Sequence, residues 1–248
     1  MNKSTLKHSV DTHANTLSNV NEDNHIIDPE IGIYAISDGM GGAGLGTLAS
    51  QLAITLLPQF LHATSLGTET TWPFEKKEGL SLEQNFLRMV FLQIHAKIID
   101  RAKHEEHLGE MGCSLISAMV FENKVIVMSI GNCRAYVYQK NHLIQLTEDR
   151  SLAYYKKWLP LKPEHNLALN FLGKDAPLDI DSTSEKITKS GDLFILLSSG
   201  IMSSLSNDQI LEIVQKNSSN INSLSKNFIS LSSQKNPHVD HTALILTI

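Results

Sequence analysis

Short, almost continuously apolar runs recur along the chain and predict buried β-strands, because a strand covered on both faces needs apolar residues throughout. Three of these runs are residues 31–37, 192–198 and 242–248. Longer stretches carry apolar side chains at steps of three and four, the spacing of one face of an α-helix. They predict helices at residues 45–60, about 81–103, 207–216 and 220–232.

A second group of β-rich runs fills residues 114–147, which predicts an antiparallel meander. Turn candidates separate these runs at Glu122-Asn123, Gly131-Asn132 and Lys140-Asn141. Residues 63–80 are polar, as is typical of an exposed connection between two antiparallel helices. The order of elements predicts one α+β layered domain over residues 1–248, with residues 1–14 as a candidate disordered tail.

Composition and charge exclude several classes of protein. Apolar residues make up 42% of the 248 residues, which excludes a disordered or fibrous chain. The net charge of -5, without a run of Lys or Arg, indicates neither nucleic acid nor an anionic membrane as partner. No apolar run approaches the ~18 residues of a membrane span, and no signal peptide is visible, so a cytoplasmic protein is expected. Cys113 and Cys133 lie in apolar stretches and are expected to be buried free thiols.

The strongest candidate for chemistry is the segment YAISDGMGG at residues 34–42. Its Asp38 ends a predicted buried strand, and the following glycines let the backbone approach a ligand closely. Upstream, Glu22 and Asp23 offer two more carboxylates that can lie near Asp38. Oxygen ligands from several strand ends suit Mg²⁺ or Mn²⁺, so these segments predict a metal site.

Five further motifs follow, each beside a predicted strand. They are MGCS at 111–114, GNCRAY at 131–136, LTEDRS at 146–151, SSGI at 198–201 and HVDHT at 238–242. In this order and spacing, the chain resembles the bacterial PP2C (PPM) family of metal-dependent Ser/Thr protein phosphatases over nearly its whole length. The resemblance implies a β-sandwich of two antiparallel sheets flanked by antiparallel helix pairs. It also implies two Mg²⁺ or Mn²⁺ ions at one end, holding a water that attacks phosphoserine or phosphothreonine.

Four site positions implied by the resemblance are intact. Asp38 matches the bridging aspartate, and Gly39 matches the backbone carbonyl ligand. Glu22 and Asp23 match the pair that holds metal-bound water. The family's terminal DNxT motif, aligned by its Thr, puts Val239 at a ligand position, unless the chain slips by one residue and offers Asp240 instead.

Other positions depart from the family's pattern. The phosphate-binding arginine falls on Ser18, which cannot make a bidentate charged contact with phosphate. The Asp of GDSR becomes Asn132, and the Asp of SDG, a direct ligand of the first metal, becomes Ser199, whose hydroxyl is a poorer ligand. A further expected aspartate falls on Ser203. Residues 149–166 form a shorter segment than the flap usual beside the family's active site.

These losses favour a pseudophosphatase, a catalytically inactive domain that binds a protein partner as a scaffold or regulatory subunit of a larger bacterial assembly. On this hypothesis we expect no enzyme activity, and either no cofactor or weakly bound Mg²⁺ or Mn²⁺. The alternative is an active, divergent phosphatase built on Asp23, Asp38 and Asp240. A third hypothesis is a zinc or other transition-metal site at His238 and His241. Candidate residues for a partner surface are Trp72, Phe74 and 154–159.

Overall fold

The computed structural model describes residues 6–18, 20–41, 44–63, 74–104, 111–148, 168–178, 180 and 182–248. Within these residues the chain forms ten strands and five helices. The strands are β1 (Lys7–His13), β2 (Asp23–Asp28), β3 (Ile33–Met40), β4 (Gly112–Phe121), β5 (Lys124–Ile130), β6 (Arg134–Gln139), β7 (His142–Gln145), β8 (Ser182–Ile187), β9 (Leu193–Leu197) and β10 (His241–Thr247). The helices are α1 (Leu45–Ala63), α2 (Leu82–His104), α3 (Ser199–Ser204), α4 (Asn207–Asn217) and α5 (Ile221–Lys235).

The strands form two five-stranded sheets in which every pairing is antiparallel. Sheet A has the order β1-β10-β9-β6-β7, and sheet B has the order β2-β3-β4-β5-β8. Sheet B is built mainly from strands that are neighbours in sequence, whereas sheet A pairs β1 with β10. The expected sandwich of two antiparallel sheets is confirmed.

Alternating side chains on each strand divide the core into layers. In β3, Ile33 packs against α1 and α2, and its neighbour Tyr34 faces sheet A. In β9, Phe194 faces sheet B, and its neighbour Ile195 packs against α4 and α5. The sheets therefore lie face to face, with helices covering both outer faces. Since both faces of these strands are covered, their sequences are apolar almost throughout.

The path of the chain differs from the prediction in several places. Residues 114–147 do not form a meander, because β4 and β5 belong to sheet B while β6 and β7 belong to sheet A. Gly131, with a φ of 96°, turns the chain from one sheet to the other instead of closing a hairpin. Residues 7–13, expected in a disordered tail, form β1 and pair with β10. Strands β2 and β8 escaped prediction because they contain few apolar residues.

Several local expectations can be compared directly with the structure. Cys113 and Cys133 are free and buried, as expected. Phe74 is partly buried and packs against the hydrophobic core, and its role in a partner surface stays a prediction. Trp72 and the segments at 149–166 and 154–159 lie outside the described residues. No helix in the described part of the chain has both the length and the apolar character needed to cross a membrane.

Candidate active site

A cleft of about 410 Å³ opens at the end of the sandwich where β3 finishes and β10 begins. Most of the residues singled out from the sequence line it, although they come from distant parts of the chain. The lining residues are Asn15, Glu22, Asp38, Gly39, Met40, Asn132, Ala168, Ser199, Gly200, Ser203, Asn236, His238, Val239 and Asp240. Asp23 is buried and directly paired with Asp38, whereas Ser18 lies on an exposed loop.

The register of β2 and β3 brings the first carboxylates together, because Asp23 lies directly opposite Asp38. The next residue, Gly39, donates its N–H to the carbonyl of Glu22 at 3.1 Å. A Cβ at Gly39 would overlap the backbone carbonyl of Gly46, so glycine is required for this close approach. The glycine that follows Asp38 therefore fixes the position of the Glu22 backbone beside it.

The four carboxylates of this region lie close enough to repel one another. Burial raises the pKa of Glu22, and the charges of Asp240 and Asp38 raise it further. Burial raises the pKa of Asp23, and the facing Asp38 adds to that effect. Burial also raises the pKa of Asp38, with Asp240 contributing in the same direction. The cluster is strongly electronegative, which is the environment that a bound cation stabilises.

Ser199 contacts Asp38 directly. Its backbone N–H and its side-chain hydroxyl both donate to Oδ2 of Asp38, at 2.9 and 2.5 Å. These bonds connect the start of α3, which follows β9 of sheet A, to the end of β3 in sheet B. Ser199, which stands where the resemblance implies a metal-ligating aspartate, thus binds Asp38.

Asp240 connects β10 to the loop that carries Glu22. Its Oδ1 accepts hydrogen bonds from the backbone N–H and side-chain amide of Asn15, at 2.7 and 3.1 Å. Its Oδ2 accepts from the backbone N–H of Glu22 at 2.9 Å. Val239 presents an apolar side chain in the same cleft. The structure gives Asp240 a supporting role for the Glu22 loop, and its role as a metal ligand stays a prediction.

Two residues that sequence reasoning did not assign to the site hold Asp23 in place. The hydroxyl of Thr242 donates to Oδ2 of Asp23 at 2.7 Å, and the Thr242 N–H donates to the Ser198 hydroxyl at 2.9 Å. Oδ1 of Asp23 is buried and has no hydrogen-bond partner. The Thr of the terminal motif was the available signal for Thr242. No local pattern marks Asn15 or Ser198, since their partners lie more than 40 positions away.

The remaining degenerate positions take part in local contacts. The Ser18 hydroxyl is exposed and donates to Asn15 Oδ1 at 2.9 Å. Asn132 accepts a hydrogen bond at Oδ1 from the Ser114 hydroxyl, at 3.0 Å. The Ser203 hydroxyl donates to the Gly200 carbonyl at 2.9 Å. None of these three neutral side chains replaces the charge of the residue that the family pattern expects.

The donor set fits a hard divalent cation better than a transition metal. Among the described residues, no three His, Cys, Asp or Glu side chains form a preformed metal-ligand group. Mg²⁺ and its analogues bind through one or two carboxylates and keep several waters, so Glu22, Asp38 and the Gly39 carbonyl suit them. His241 is buried and bonded to the Asn236 carbonyl, while His238 lies exposed at the cleft. This arrangement gives no support to a shared zinc site on the two histidines.

Comparison with known proteins agrees with this architecture. The profile of the family Protein phosphatase 2C matches residues 13–233. Serine/threonine phosphatase stp from Listeria monocytogenes is 28% identical over 191 residues, which cover 74% of this chain and 71% of the relative. The Mycobacterium tuberculosis serine/threonine phosphatase PstP/Ppp superposes with a TM-score of 0.80 at 21% identity, covering 98% of both chains. The catalytic domain of PstP in complex with 2 manganese ions gives a TM-score of 0.74 at 21% identity, covering 98% of this chain and 97% of that chain.

These findings correct expectations drawn from the degenerate motifs. The expectation that the chain is not an enzyme is wrong, because the matching relatives are serine/threonine phosphatases. A pseudophosphatase or scaffold receives no support from them. The expectation of no cofactor also lacks support, since a structural neighbour binds manganese. Because the family profile covers most of its length, the chain belongs to the protein phosphatase 2C family.

Proposed function

We propose that this protein is a divergent, metal-dependent phosphatase that hydrolyses phosphoserine or phosphothreonine in proteins. The observation that carries the proposal is the carboxylate cluster of Glu22, Asp23 and Asp38, which borders a cleft in a chain of the protein phosphatase 2C family. Hydrolysis transfers the phosphoryl group from the seryl or threonyl oxygen to water and releases inorganic phosphate.

Each residue of the cluster has a separate task in this proposal. Asp38 and Glu22 would hold a divalent cation through carboxylate oxygens, and Gly39 would add its carbonyl. When bound, the cation supplies positive charge for the phosphate and lowers the pKa of a water molecule. Thr242 orients Asp23, and Asp240 fixes the loop that carries Glu22. The tasks are thus divided between residues that would bind the cation and residues that position them.

The cleft offers little direct binding of phosphate by cationic side chains. The described residues that line it include neither Lys nor Arg, and Ser18 occupies the position of the family's phosphate-binding arginine. Carboxylates at the same site repel a phosphate dianion unless a cation is present. We therefore expect turnover to depend strictly on added Mg²⁺ or Mn²⁺, with a high KM for small phosphate esters.

The proposal is tested by measuring phosphate release from phosphothreonine, phosphoserine and phosphotyrosine peptides, with Mn²⁺ or with EDTA. The wild type should hydrolyse the first two peptides only with metal. Asp38→Asn should lower kcat/KM by on the order of a hundredfold or more, because it removes a charged ligand. Asp208→Asn, which changes an exposed aspartate on α4, is the matched control and should retain activity. Turnover that survives Asp38→Asn unchanged, or no turnover with any metal, would overturn the proposal.

A further inference from the structure

The hydrogen bonds at Asp38 determine how many cations the cleft can hold. We propose that this protein binds a single divalent cation, on the Glu22 side of Asp38, and that Ser199 occupies the position where a second cation would need a ligand. The inference rests on the proposed function, because that proposal identifies the cleft as a metal site. It concerns the number of ions, which we infer to differ from the 2 manganese ions of the neighbouring PstP structure.

The first argument is the coordination capacity of Asp38. A carboxylate oxygen has about two lone-pair positions, and Oδ2 of Asp38 already accepts two hydrogen bonds from Ser199. An aspartate that bridges two cations needs one oxygen free for each of them. Of the two carboxylate oxygens of Asp38, Oδ1 is the one without a hydrogen bond from the described part of the chain. Asp38 is therefore arranged to bind one cation and to hold Ser199 with its other oxygen.

The second argument is the chemistry on the Ser199 side of the cleft. Val239 is apolar and has no donor atom in its side chain. The Ser203 hydroxyl is committed to the Gly200 carbonyl. The carboxylate of Asp240 accepts three hydrogen bonds from Asn15 and Glu22. These three bonds hold the Asp240 carboxylate against Asn15 and the Glu22 backbone. The groups named beside Ser199, Val239 and Ser203, are apolar or neutral, so they offer a second hard cation no carboxylate ligand.

The third argument is the unsatisfied oxygen on the opposite side. Oδ1 of Asp23 is buried without a hydrogen-bond partner, although its side chain is only 6% exposed. A buried anionic oxygen without a partner is costly, and a nearby cation or its water shell would satisfy it. Glu22 and the Gly39 carbonyl lie on this same side, at the junction of β2 and β3. The oxygens that this proposal leaves for a cation are therefore those of Glu22, Gly39 and Asp38 Oδ1, enough for one ion that keeps several waters.

The experiment counts bound manganese in the full-length protein. Calorimetric titration of Mn²⁺ gives the stoichiometry, and electron paramagnetic resonance distinguishes an isolated ion from a spin-coupled pair. We expect one equivalent and an uncoupled signal for the wild type. The double variant Ser199→Asp with Val239→Asp should bind two equivalents and show coupling. The double variant Ser199→Asn with Val239→Asn changes the same two positions without adding charge, so this control should stay at one equivalent.

Stability provides a second measurement for the double variant. Two added carboxylates should lower its thermal midpoint in EDTA, and Mn²⁺ should restore that loss to a greater extent than it stabilises the wild type. Two equivalents in the wild type, or none, would overturn the inference. One equivalent without phosphatase turnover would overturn the proposed function and leave the inference standing. Turnover accompanied by two bound ions would overturn the inference and support the proposed function.

Discussion

Replacing Asp23 with Asn should stabilise the metal-free protein, because it removes a buried charge that has no cation partner. The Asp23 side chain is 6% exposed, its Oδ2 accepts from the hydroxyl of Thr242, and the Ser198 side chain is its other polar neighbour. An amide oxygen can keep that bond, while the charge facing Asp38 disappears. A buried charge without a partner costs several kcal/mol, and relaxation reduces this cost, so we expect a gain of about 1–3 kcal/mol.

The gain should depend on pH in a defined direction. Burial and the facing Asp38 raise the pKa of Asp23 above that of an aspartate in the unfolded chain. Between those two values the folded protein binds more protons than the unfolded chain, so the wild type loses stability as the pH rises. Asp23→Asn removes this titration. The difference in unfolding free energy between variant and wild type should therefore be small at or below about pH 4, the pKa of an unfolded aspartate, and should grow as the pH rises from there.

The assay is urea and thermal unfolding in EDTA at several pH values. For a chain of this size, each kcal/mol corresponds to roughly 2–4 °C in Tm. The matched control is Asp192→Asn, a buried aspartate whose Oδ2 accepts bonds from the Gln139 amide at 2.6 Å and the Lys189 N–H at 2.8 Å. That variant should lose about 1 kcal/mol, because charge-assisted bonds become neutral. A destabilised Asp23→Asn protein at pH 8, or a gain that does not change with pH, would refute the reasoning.

Three further substitutions test other parts of the structure. Gly39→Ala should destabilise the protein by about 3 kcal/mol in urea unfolding, because its Cβ meets immobile backbone. His95 bonds to backbone groups through both ring nitrogens, and burial lowers its pKa. The stabilising contribution of neutral His95 should therefore be complete above about pH 6.5, the pKa of an unfolded histidine, and should disappear as the pH falls through the lower pKa of the folded protein. His95→Gln should flatten that part of the stability profile. Lys124→Met, which leaves two glutamates unpaired, should cost about 1–2 kcal/mol, whereas the exposed Lys216→Met should cost under about 0.5 kcal/mol. Equal losses for the two lysine variants would contradict this assignment.

The layered architecture could be predicted because burial on both faces makes a strand apolar along its whole length. Strands β3, β5 and β9 are of this kind, and their boundaries lie close to the predicted runs. Helices α1, α2, α4 and α5 were equally visible from their apolar steps, whereas the six-residue α3 was not predicted. Strand β2 was not visible, since Asp23, Asn24 and His25 are polar residues selected by the site and not by the core. Hydrophobic pattern therefore predicts strands that are buried on both faces and misses strands with few apolar residues.

The sequence predicted which residues lie at the site, but not which of them contact one another. The motifs identified Asp38, Ser199 and Asp240 correctly as positions at one cleft. No local pattern indicates that the Ser199 hydroxyl binds Asp38, or that Asp240 accepts bonds from the Glu22 loop. These contacts depend on the relative placement of two sheets. The prediction of an inactive domain rested on missing ligands alone and took none of these contacts into account.

The distances along the chain between contacting site residues have a consequence for folding. Asp38 and Ser199 are 161 positions apart, Asp23 and Thr242 are 219 apart, and Asn15 and Asp240 are 225 apart. Most of sheet B pairs strands that are close in sequence, so it can form early, whereas β1 must wait for β10. During synthesis the first carboxylates leave the ribosome long before their partners are made. A chain interrupted before Thr242 would contain every strand of sheet B but would lack β10, the strand that joins β1 to β9 in sheet A.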